Sequence, residues 1–232
     1  MATTPKSFYQ FLNEQIIEIP ILQRDYAQGR KGKDALRRTF LTSLKKALDD
    51  AIFLENKMQP LQLDFVYGST GQEASNNGSQ ILQLLDGQQR LTTLWLLHWY
   101  IALRAGKLEE AAETLKRFSY ETRISSRSFC QKMCAPQNFE TFLMSIETNE
   151  ATHHNEDKVK SQTIADFISA KTWFYTKWQQ DPTIQSMLRM LSGDKEEVVG
   201  RDKRRKNKND LQIDFYDDAI EKYLRLHLRR IL

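Results

Sequence analysis

The sequence predicts an α+β protein: a small mixed core over residues 1–105, followed by an all-helical region over residues 106–232. Three observations lead there. Strand-like patterning is confined to the first half, where residues 16–22 are β-branched and residues 61–67 alternate apolar with polar. Helical periodicity runs through both halves and is the sole regular pattern after Gly106. The composition, 40% hydrophobic and 28% charged, suits a packed soluble chain rather than a disordered one.

Taken in order, Thr4-Pro5 offers a capping hydroxyl and then a proline at the first helical position, and Phe8, Phe11, Leu12 and Gln15 continue a short helix. Residues 16–22, "IIEIPIL", hold a proline and so predict an edge strand or extended segment. "QRDYAQGRKGK" reads as a polar loop. Asp34 opens a helix with Leu36, Phe40, Leu44 and Leu48 on one stripe. Leu61, Leu63, Phe65 and Tyr67 form a strand with one face inward. Residues 68–79, rich in glycine and asparagine, predict a loop or hairpin connection. Residues 80–85 are a further strand, ended by Asp86-Gly87. The helix that follows, 88–104, is apolar nearly all round and therefore central. Beyond Gly106, helices are expected over 108–118, 126–134, 138–146, 163–178, 183–191 and 215–231, with a polar loop at 147–162.

No stretch is apolar over the ~18 residues that a membrane span requires. The opening "MATTPKSFYQ" lacks a basic-then-apolar leader pattern, so the expected location is cytoplasmic. Cys130 and Cys134, with His153 and His154, match no zinc spacing and read as ordinary thiols. The net charge of +4 comes entirely from residues 200–210: Arg201, Lys203, Arg204, Arg205, Lys206 and Lys208 stand against Asp202 and Asp210. Such a stretch suits DNA phosphates, or is a solvated connector.

The polar segment with the most chemistry is "LLDGQQRLTTL", residues 84–94. A strand leads into Asp86-Gly87 and a helix starts there. The first amides of a helix lack internal partners, and the dipole adds positive charge at the same spot, which suits phosphate. Gly87 lets a ligand approach the backbone. Arg90 offers a planar fork for phosphate oxygens. Gln88 and Gln89 carry amides, Thr92 and Thr93 hydroxyls, and Asp86 a carboxylate for Mg²⁺. The plain alternative is that Asp86 caps the helix, with Gln88 and Gln89 exposed and Arg90 a surface charge. Two further polar clusters can share the site. Gln23, Arg24, Asp25 and Tyr26 follow the first extended segment, with Arg30 shortly after; Tyr26 can stack on a base or ribose. Gly68 and Ser69 end the strand "LDFVYGS", either in that pocket or as a simple turn. No phosphate-loop string of the G-x-x-x-x-G-K-[ST] type is present.

"IPILQRDY" (19–26), "DFVYGS" (64–69) and "LDGQQRLTTL" (85–94), in this order, resemble the GmrSD-type restriction endonuclease N-terminal domain family, which is related to the ParB/sulfiredoxin-like fold. The resemblance covers residues 8–105; "YETRISSRSFC" (120–130) and "DPTIQSML" (181–188) look like a subgroup of the same family. It implies a nucleotide-sensing module of a bacterial restriction or anti-phage system. Such a module binds and hydrolyses a nucleoside triphosphate with a divalent metal and works with a nuclease domain or subunit. Under it, Asp86, Gln89 and Arg90 are the catalytic set, with Asp86 at the metal. Gln23, Arg24, Tyr26, Gly68, Ser69, Gly87, Gln88, Thr92 and Thr93 bind the nucleotide. Many members carry a tryptophan shortly after the tyrosine; this chain reads Ala27-Gln28-Gly29. No HNH-like cluster is found, so the nuclease half is expected elsewhere. The competing expectation is a DNA-binding module without catalysis, with Gln88 and Gln89 reading bases.

Overall fold

A computed structural model of the chain describes residues 6–20, 25–30, 32–53, 66–71, 80–121, 123–142 and 163–192. The expected helices at 215–231 and 143–146, the loop at 147–162, the basic residues 201–208, the Thr4-Pro5 start and the pair Gln23-Arg24 all lie outside these residues.

Within them the fold is α+β: a mixed four-stranded sheet with helices. Helix α1, Phe8–Glu14, is capped by Ser7, whose hydroxyl and the Gln10 side chain satisfy each other's backbone N–H groups. Strand β1 is Ile16–Ile19, α2 Asp34–Phe53, β2 Tyr67–Gly71, β3 Ile81–Asp86 and α3 Gln88–Arg104. Then come α4 (Leu108–Leu115), β4 (Phe118–Tyr120), α5 (Ile124–Met133), α6 (Ile164–Ser169) and α7 (Pro182–Ser192). Short 3₁₀ turns occupy Pro136–Asn138 and Thr176–Gln179.

The strand order is β2-β3-β1-β4. β1 is parallel to both β3 and β4, and β2 is antiparallel to β3. The expected edge strand is thus interior. The proline that suggested an edge, Pro20, falls just after the last paired residue, where its missing N–H costs the ladder nothing. Residues 68–71, expected as loop, belong to β2: pairing with β3 satisfies their backbone, and Gly68 is needed because a Cβ there would lie 2.1 Å from the Gln83 carbonyl oxygen. Residues 61–65 are outside the described residues.

β4 corrects the expectation of an all-helical second half. Three residues are too few for a visible alternation, and helix α4 ends before Phe118. Ile17, Ile19, Leu82, Leu84, Phe118 and Tyr120 alternate inward and are buried; the Phe118 ring stacks on Trp95 of α3. The helix expected over 163–178 stops at Ser169 and resumes as a 3₁₀ turn, and the helix expected from Asn138 is preceded by another. In α2 the inward stripe is shifted: Arg37 and Leu41 are buried, Phe40 and Leu44 pack partly, and Leu36 is 54% exposed.

α3 is the axis of the molecule, buried along almost its whole length. Its two tryptophans anchor later helices by their ring N–H groups. Trp95 donates to the Leu115 carbonyl at the end of α4 (3.0 Å), and Trp99 to the Met133 carbonyl at the end of α5 (2.7 Å). Each satisfies a terminal carbonyl that its own helix leaves without a donor. No described helix is long and apolar enough to cross a membrane.

Candidate functional site

Parallel pairing decides where the polar motifs go. β1, β3 and β4 run the same way, so the segments that follow them open on one edge of the sheet. The segments are residues 25–30, the Asp86–Arg90 turn, and residues 121 and 123–125. Ligands of sheets with parallel strands sit beyond such carboxyl ends.

The turn after β3 is not a side-chain cap. Gly87 is the N-cap residue of α3, at φ +93, and no side chain caps it. A left-handed backbone and a Cβ 2.8 Å from Val66 both exclude a larger residue. Asp86 is 58% exposed and, instead of capping, faces Arg90, with its Oδ2 3.6 Å from Nη2. The Arg90 side chain is only 19% exposed. The first intrahelical bond is Leu91 N–H to the Gly87 carbonyl, so the amides of Gln88, Gln89 and Arg90 come ahead of it. Gln88 is buried rather than surface-exposed.

Gln89 does something that the sequence does not reveal. Its Oε1 accepts from the Ala27 N–H at 2.7 Å and its Nε2 donates to the Asp25 carbonyl at 2.8 Å. One side chain thereby serves the backbone of the segment following β1, and two motifs more than sixty residues apart are joined.

That segment is no solvated loop. Tyr26, Gln28 and Gly29 are all buried. The Tyr26 hydroxyl is 2.9 Å from the Thr93 hydroxyl, which in turn donates to the Gln28 amide oxygen. Thr92 meets the Tyr120 hydroxyl at 3.3 Å. Burial pushes both tyrosines' pKa up, so both stay protonated and hydrogen-bonded. Tyr26, at 1% exposure, has no ring face open to a base. Thr92 and Thr93 turn their hydroxyls inward for the same reason: this polar row fills an interior seam between β4, α3 and the segment after β1. Gly29 sits against α7, where a Cβ would lie 1.7 Å from the Ser186 carbonyl oxygen.

At the outer rim the Asp25 carboxylate holds two arginines. Arg30 Nη2 donates to Oδ2 at 2.9 Å, and Arg123 Nη1 donates to Oδ1. Arg123 also donates to Thr183 Oγ1 at 3.1 Å. Arg123 was not singled out in the sequence; its signal is position, the third residue after the short strand that was missed.

The structure therefore brings Asp86, Gly87, Gln88, Gln89, Arg90 and residues 25–30 to one edge. Gly68 pairs with Leu84 and Ser69 with Gln83, which places both on the adjacent strand, one to two rungs from Asp86. Among the described residues no three or more His, Cys, Asp or Glu side chains form a group able to cage a metal. Cys130 and Cys134 are both buried thiols.

The model of the family described as GmrSD restriction endonuclease, N-terminal domain, matches residues 8–226. This extends well past the motif-bearing first half and through the basic stretch. In comparisons with curated proteins and with solved structures, nothing matched.

Proposed function

The chain belongs to the GmrSD restriction endonuclease N-terminal domain family, and on that premise we propose that it is the nucleoside-triphosphate-binding and hydrolysing regulatory module of a restriction system. The observation that carries the reading is the clasp of Gln89 on Asp25 and Ala27. It holds residues 25–27 against the helix start containing Arg90, so the two polar motifs address one ligand.

In this reading Arg90 and Arg24 neutralise phosphate charge, and the amides of Gly87, Gln88 and Gln89 cradle the oxygens. Gln88 acts through its backbone, since its side chain is buried. Gly68 and Ser69 form the neighbouring wall. Tyr26, Thr92 and Thr93 support the site from below rather than touching the nucleotide.

Mg²⁺ fits this arrangement. It keeps most of its waters and takes one or two carboxylates together with substrate phosphates, so a single exposed Asp86 beside a phosphate site is enough. When bound there it supplies positive charge to the phosphate oxygens. Asp86 orients that ion or an attacking water, while Arg90 stays fixed by its partner carboxylate. Phosphoryl transfer rests mainly on positioning and charge, so no protein nucleophile is required. A nuclease domain or subunit is the natural partner for such a module.

The test is thermal unfolding with ATP, GTP, CTP or UTP plus Mg²⁺, on the wild type and Arg90→Ala. Ligand at about a hundredfold over its Kd adds ~2.7 kcal/mol. Stabilisation by at least one nucleotide, lost in Arg90→Ala, is the expected result. No shift with any nucleotide, together with salt-sensitive DNA binding, would overturn it in favour of a DNA-binding module.

A further inference from the structure

We propose that Arg123 is an additional phosphate-contacting residue of this site, kept in position by Asp25 until the ligand arrives. The proposal rests on the nucleotide reading above and goes beyond it in assigning a group supplied by the second half of the chain.

β4 is parallel to β1, so Arg123 emerges on the same sheet edge as Asp25 and the Asp86–Arg90 turn. Its guanidinium is not remote from α3. It bonds the Asp25 carboxylate, and the Asp25 carbonyl is bonded by Gln89 in the first turn of α3. Arg30 approaches the same carboxylate from its other oxygen. Two guanidinium groups thus share one carboxylate, one on each oxygen.

Exposure argues for a ligand role. An ion pair open to water contributes little to folding, so stability alone does not account for this cluster. Here the Arg30 and Arg123 side chains are 41% and 27% exposed, and the Asp25 carboxylate between them is also partly open. A carboxylate with one guanidinium on each oxygen reproduces two of the contacts that a phosphate makes. Phosphate carries more charge and more acceptor oxygens, so a polyphosphate at the start of α3 competes with Asp25 for both arginines. Arg123 also holds Thr183 at the start of α7 and immediately precedes α5. Movement of its guanidinium towards phosphate therefore reaches the helical part of the molecule directly.

Calorimetric titration with each Mg²⁺–nucleoside triphosphate, and with inorganic tripolyphosphate, tests this on the wild type, Arg90→Ala, Arg123→Gln, Arg123→Lys and Asp25→Asn. Unfolding temperatures recorded alongside separate affinity from folding. Arg123→Gln is expected to weaken binding about tenfold or more, with partial recovery in Arg123→Lys. Asp25→Asn removes the competitor and is expected to tighten binding by about threefold, even as it lowers the unfolding temperature. The proposal is overturned if Arg123→Gln and Asp25→Asn lower the unfolding temperature yet leave affinity unchanged, or if Asp25→Asn weakens binding as Arg123→Gln does. If wild type binds no nucleotide, or Arg90→Ala binds as wild type does, the nucleotide reading itself has failed.

Discussion

Gln89 donates through Nε2 to the carbonyl of Asp25 at 2.8 Å, across a sequence separation of 64 residues. With Oε1 on the Ala27 N–H, the amide acts as a stand-in for a neighbouring strand. A buried segment without regular structure must find partners for its backbone somewhere, and here it finds them in a helix. Removing the amide leaves one donor and one acceptor poorly solvated. Gln89→Ala is expected to cost ~1–3 kcal/mol. Gln89→Met, which keeps the volume, should cost nearly as much if bonding rather than packing matters. Urea denaturation of the three proteins decides it, and a Met variant as stable as wild type would show that the clasp contributes little.

The contact between Gly29 and Ser186 gives a second expectation, in which two glycines are compared. At Gly29 a methyl group would meet backbone atoms of α7, starting with a carbonyl oxygen at 1.7 Å. Backbone cannot swing aside as a side-chain tip can. Gly29→Ala therefore separates the segment after β1 from α7 and should cost more than ~2 kcal/mol. Gly71, at the end of β2, has nothing within 4 Å of the corresponding position and no left-handed φ. Gly71→Ala should be within ~0.5 kcal/mol of wild type. Equal effects at the two positions in thermal unfolding would contradict the packing described.

How far these features were legible in the sequence differs by element. The strand at 81–86 and the helix at 88–104 were plain, because an apolar run broken by Asp86-Gly87 changes period at the turn. That the segments after β1 and β3 come together was read from their residue types; the parallel pairing of β1 with β3 supplies the reason. β4 was hidden because three residues carry no period, and with it Arg123 was hidden as a rim residue. Polar residue type was less informative about direction. Tyr26, Thr92 and Thr93 look like ligand-binding groups; in the structure the Tyr26 and Thr93 hydroxyls bond each other, Thr93 also bonds Gln28, and Thr92 bonds Tyr120, all inside the protein. Composition cannot distinguish a polar group facing a ligand from one facing a buried neighbour; only the pairing of distant segments does.

High pH should act on the same interior. Burial pushes the Cys134 thiol from its ordinary 9.0 up to about 12, and Cys130, Tyr26 and Tyr120 are raised as well, again chiefly by burial. In the unfolded chain these groups release their protons near their ordinary values, while the folded chain still holds them. The unfolded state is therefore favoured as pH climbs. The stability they contribute is complete below about pH 9 and declines as pH rises from there through about 12, by up to ~1.4 kcal/mol per group for each pH unit above its ordinary pKa. The urea midpoint should fall steadily between about pH 9 and about pH 11, and both thiols should resist alkylation in the native protein until it unfolds. A midpoint flat across that interval, or prompt alkylation of either cysteine at pH 8.5, would mean that water reaches this interior. In that case the row of hydroxyls beneath Gln89 would no longer be a dry support for the site.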